Sequence, residues 1–226
     1  LRGNIHIVTN QVGQAGRMTE VQLGRAYDWG HTLAHHTFGN KSNGWDNATD
    51  YPDGSSITAD INAQWAYLNA RGWTRGVGHA VHGFTNTLVN TVSNARQLLV
   101  QSAVNAAGVK TISSGGHYLA NGTAGEVGHL FPYCHPRANW RGIFGGVMVT
   151  NTDTAQYVKN VIDAAEDRGE LAVIVVHRAV LDSATPAALE MKLADMANWI
   201  EYLGDRVLAG GVDVPTIDEV YDQFGR

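Results

Sequence analysis

Leu171-Ala172-Val173-Ile174-Val175-Val176 is a run of six apolar residues, four of them β-branched, with no polar position left to face water. A strand of this composition is expected to be buried on both faces, as the strands of a parallel sheet are. Parallel neighbours need a crossover between them, most often a helix. The flanks supply helical patterns, from about Thr154 to Arg168 upstream and from Ala187 to Leu203 downstream. The same alternation repeats toward the N-terminus. Ile5-His6-Ile7-Val8-Thr9 reads as a strand, and Thr19-Glu20-Val21-Gln22 has capping-box spacing ahead of a helix to about Trp29. Ile61, Trp65 and Leu68 lie at helical spacing and predict a helix from about Thr58 to Arg71. A strand from Gly76 to Val81, a helix from Leu88 to Ala107 and a strand from Val109 to Ser113 follow, and a short strand Val212 to Val214 precedes a closing helix Ile217 to Phe224. Repeated strand and helix predict an α/β fold with a parallel sheet, and a (β/α) barrel is its simplest closure.

Composition narrows the setting. The 226 residues carry no Pro/Ser-rich linker or charge run, so 1–226 reads as one domain. Sixteen basic against 21 acidic residues give a formal charge of −5 without a Lys/Arg stripe, which argues against a nucleic-acid partner. Hydrophobic residues make up 44 % but never run unbroken for the roughly 18 positions of a membrane span, and the first residues lack signal-peptide grammar. Cys134 is the single cysteine, so no internal disulfide is expected. A chain opening on Leu1 rather than Met is expected to be processed or to be part of something larger.

Two groups of residues carry candidate chemistry. His177 follows the apolar run directly, and the ends of parallel strands are where α/β barrels place functional groups. A histidine there suits general acid or base work near neutral pH, or else caps the strand by bonding to a neighbouring carbonyl. Gly30-His31-Thr32-Leu33-Ala34-His35-His36 places three histidines in six residues. On a helical turn His31 and His35, four apart, would project from one face and meet a single ion.

Taken together these stretches resemble the polysaccharide deacetylase family, the NodB homology domain of carbohydrate esterases. The similarity runs from the strand at Ile5 through Gln11-Val12-Gly13-Gln14-Ala15-Gly16-Arg17-Met18-Thr19 to His31-Thr32-Leu33-Ala34-His35, which fits a His-Ser/Thr-x-x-His metal motif. It returns at Val175-Val176-His177 and at Val214-Pro215-Thr216-Ile217-Asp218-Glu219-Val220-Tyr221. The resemblance implies a distorted (β/α) barrel, here without its first strand, and a zinc or other divalent ion that serves to hydrolyse the N- or O-acetyl groups of a polysaccharide. Carried over by position, His31 and His35 would hold the ion and His177 would protonate the leaving amine or alkoxide.

The family's Asp-Asp pair, on a strand before the one matched at Ile5, has no counterpart in this chain. It is expected upstream of Leu1; otherwise the domain is a glycan-binding or structural module that has lost its base. Asp46, Asp50 and Asp53 are the nearby carboxylates for an oxygen ligand, unless they are simply solvated loop side chains. An ungapped match would put Thr32 and His36 at the ligand positions, and threonine's poor affinity for zinc favours His31 and His35, with His36 beside them. His79-Ala80-Val81-His82-Gly83 stands where the family has an Arg-x-Pro-x-Gly segment, so His82 either lines the site and contacts substrate or is a buried, hydrogen-bonded histidine. From Ser114 to about Gly146 no period is evident, and Tyr133 and Trp140 are the residues there suited to stacking on sugar rings, with Arg141 suited to an acidic glycan. The expected setting is extracellular or virion-associated, within a larger assembly of the phage-tail kind.

Overall fold

The computed structural model describes residues 1–37, 45, 47–82, 94–114, 143–144 and 147–224. In chain order they form β1 (Asn4–Val8), α1 (Glu20–Asp28), β2 (Thr32–Thr37), α2 (Gly54–Asn69), β3 (His79–His82), α3 (Asn94–Ala106), β4 (Thr111–Ser114), β5 (Ile143–Phe144) and β6 (Val147–Met148). There follow α4 (Ala155–Arg168), β7 (Ile174–Val175), β8 (Arg178–Val180), β9 (Glu190–Lys192), α5 (Leu193–Leu208) and α6 (Ile217–Phe224). Strand and helix alternate as the sequence predicts, and β1–β2, β2–β3, β3–β4, β6–β7 and β8–β9 all pair in parallel. No sheet among the described residues closes on itself. Nor, among them, is any helix long and apolar enough to cross a membrane.

Two compact units result, one from described residues within 2–115, 141–143 and 215–224, the other from those within 144–214. In the first, β1 to β4 lie side by side in sequence order. Ile7 and Leu33 pack on Leu23 of α1, Leu68 of α2 and Trp73 to form one apolar cluster. A second cluster joins Trp45, Tyr51, Ile57 and Ile61 to Val100, Ala103 and Val104 of α3. α6 is tied to the beginnings of the strands: Ile217 N donates to Asn4 Oδ1 at 3.0 Å, and Asp218 Oδ2 accepts from Gly76 N at 2.7 Å and Thr32 Oγ1 at 3.3 Å. In the second unit α4 packs on α5 through Val158, Ile162 and Trp199, with Met191 between.

Local hydrogen bonds explain the helix boundaries. Thr19 Oγ1 accepts from Gln22 N while Gln22 Oε1 accepts from Thr19 N, the reciprocal pair that the spacing predicts. The end of α1 overturns one expectation. Gly30, at φ +94°, bonds back to the Tyr27 carbonyl and His31 N bonds to the Ala26 carbonyl. That Schellman pair terminates the helix at Trp29, so the chain leaves Gly30 extended and His31 to His36 never form a helical turn.

Two strand expectations also change. Only Ile174 and Val175 of the run 171–176 form a strand, and all six side chains are partly exposed rather than buried on both faces. Their ladder is with the two-residue β6, through Val147 N to Val173 O and Val149 N to Val175 O. Residues 212–214 form no strand and lead directly into the cap of α6. The other differences are displaced starts: α2 begins at Gly54 because Asp53 accepts the Ser56 N–H as its cap, and α5 begins at Leu193 because β9 occupies the residues before it.

Candidate functional site

The register of the first sheet determines which side chains meet. Ile5, Ile7 and Leu33 face α1 and α2, so alternation turns His6 and Ala34 to the opposite face. His6 is paired with Ala34, His35 with Ala80 and His79 with Thr111. His6, Ala34, His79 and Thr111 therefore form one row across four strands. Two strands apart, the backbones of β1 and β3 are separated by about 9.6 Å, twice the normal strand spacing. The rings of His6 and His79 nevertheless lean together over the small Ala34 side chain to a centroid distance of 5.4 Å, tilted by 55°. Thr111 Oγ1 bonds to His79 Nδ1 and sets the rotation of that buried ring.

His36, two residues on from Ala34, falls on this face by alternation, beside an irregularity in the ladder. Ile7 pairs with His35 but Val8 pairs with Thr37, so β2 carries one extra residue, His36, near its carboxyl end. His36 is close enough that its charge, with that of His79, opposes protonation of His6.

Burial disfavours the charged forms of His6 and His79. Desolvation pushes His6 well below the ordinary histidine range, with His79 and His36 adding to the effect, and desolvation pushes His79 down to about 3. The Nδ1 atom of His6 is buried without a hydrogen-bond partner. A neutral imidazole with a lone pair left over is a ligand in search of a cation or a proton donor.

His31 and His35 are not brought together. Four residues of extended strand separate them by about 13 Å. His31 Nδ1 accepts the Gly3 N–H at 3.1 Å and joins the starts of β1 and β2. His35 is fully buried on the helix side, with Nε2 3.2 Å from Asp60 Oδ2 of α2 and its ring 5.6 Å from that of Trp45. Each is engaged with different surroundings, so this pair does not fit one metal ion. Among the described residues no group of three or more His, Cys, Asp or Glu side chains is placed to hold a metal.

The carboxylate candidates have structural partners: Asp50 Oδ2 accepts from Asn47 Nδ2 at 2.8 Å and Asp53 caps α2, while Asp46 lies outside the described residues. His177 follows β7 in the second unit; it is exposed, and partial desolvation lowers its pKa below the usual value. His82 ends β3, but its side chain lies outside the described set, as do Tyr133, Trp140 and Arg141. Sequence reading missed His6 and His79 as a pair. Alternation with Ile5 and Ile7 was the available signal for His6; nothing local pointed to its partner more than 70 residues away.

Comparison with protein-family models, with curated proteins and with solved structures finds no match to this chain.

Proposed function

We propose that the protein is a metal-dependent carbohydrate deacetylase, hydrolysing N- or O-acetyl groups of an extracellular or cell-surface polysaccharide, on a barrel of the NodB type. The observation that carries this reading is the gathering of His6, His36 and His79 on one face of a parallel sheet, the face opposite α1 and α2. His6 and His79 then take the ligand role that the motif resemblance gave to His31 and His35, with His36 beside them. A divalent ion bound on this face would supply Lewis acidity toward the acetyl carbonyl and acidify a water.

The chain's own groups would do the rest. His177, with its lowered pKa, would donate a proton to the departing amine or alkoxide. Because the acid must be protonated, activity limited by His177 would fall as pH rises through a value below 6.5. His82, Tyr133, Trp140 and Arg141 would contact the glycan.

The test is acetate release by the full chain with zinc, from acetylated chitooligosaccharides and from O-acetylated bacterial polysaccharide. Release that disappears in His6→Gln and in His177→Ala is expected. Glycan binding without release from either substrate class would favour the non-catalytic glycan-binding module instead.

A further inference from the structure

We propose that His6 and His79 bind one divalent transition-metal ion of the zinc class between their imidazoles, on the face of the sheet turned away from α1 and α2. The inference names ligands for the reading above and rests on it only for the use of the ion, not for its binding.

Geometry is the first support. A zinc ion lies about 2.0–2.1 Å from an imidazole nitrogen, hence about 3.2 Å from the ring centre, and two such rings at a tetrahedral angle have centres about 5.2 Å apart. The His6 and His79 rings are 5.4 Å apart, and their tilt of 55° keeps them from stacking face to face. The second support is the buried His6 Nδ1, which has no hydrogen-bond partner where one is ordinarily found. A third is the bond from His79 Nδ1 to Thr111 Oγ1, because ligating histidines are typically held by a hydrogen bond at the other ring nitrogen. Ala34 completes the arrangement: paired with His6 and fully buried, it is small enough for the rings to meet above it. Two protein nitrogens leave the remaining positions of a tetrahedral ion to water or other oxygens.

The experiment uses the full chain, stripped with a chelator and titrated with zinc calorimetrically, and with cobalt followed by visible absorption. One zinc per chain is expected, weakened on the order of tenfold or more in His6→Gln and in His79→Gln. His31→Gln, whose amide oxygen still accepts the Gly3 N–H, should bind as the parent does. If His79→Gln does not fold, the cobalt spectrum decides, since His6 is partly exposed and its substitution is tolerated more easily. Ligand-field bands present in the parent and lost in His6→Gln support the site. Absence of zinc binding, or binding in His6→Gln equal to that of the parent, overturns it. Zinc binding that needs His6 without any acetate release supports the site and counts against the deacetylase reading alone.

Discussion

The side chain of Gln64 is fully buried on α2, and its Nε2 donates to the Ile7 carbonyl at 2.7 Å, at the point where β1 and β2 lose register. A bulge takes backbone groups out of the ladder, and a buried carbonyl without a partner costs about 1–3 kcal/mol. Gln64 thus supports the irregularity in the ladder beside His36. Gln64→Leu should keep the volume and lose the bond, lowering stability by about 1–3 kcal/mol in urea denaturation. A variant as stable as the parent would mean that the bulge needs no such support. The same scale shows why the histidines were hard to sort by sequence. His31, His35 and His36 are near neighbours in the chain, yet they serve a turn between strand starts, a buried contact with Asp60 and the opposite face of the sheet.

At the scale of elements, α6 is the piece whose attachment depends on charge. Burial raises the pKa of Asp218, against the opposing pull of the Gly76 N–H and the Thr32 hydroxyl. A carboxyl whose folded-state pKa is raised contributes stability that is present at low pH and lost as pH rises through that pKa. Asp218→Asn keeps an acceptor oxygen for Gly76 and carries no charge to bury. Melting temperatures of the two proteins should therefore converge or cross in favour of the variant near pH 7, with the parent gaining on the variant as pH falls toward 4. A parent that loses ground on acidification would contradict the sign. Where boundaries depend on such local bonds, they were legible: the Thr19 box, the Thr154 cap and the glycine ends of α1 and α4 all sit where short-range rules put them. Gly30 was legible too: its left-handed conformation ends the helix before the three histidines can take helical spacing. The run 171–176 was read correctly as β-forming and incorrectly as doubly buried, because composition records what a strand tolerates and not how many partners it has.

Across the whole molecule, the α/β alternation and the parallel pairing followed from periodicity, whereas the candidate site did not. Its row depends on β1, β2, β3 and β4 aligning so that His6, Ala34, His79 and Thr111 fall level, and strand register between segments 30 to 70 residues apart leaves no trace in either segment alone. What the histidine row does bear directly on is ion binding, from which the deacetylase reading follows as a use. X-ray absorption at the zinc edge of the zinc-loaded chain tests this most directly. The account predicts nitrogen ligands at about 2.0–2.1 Å with the outer-shell scattering of imidazole, diminished in His6→Gln. An oxygen-only shell, or a spectrum unchanged by that substitution, would contradict it.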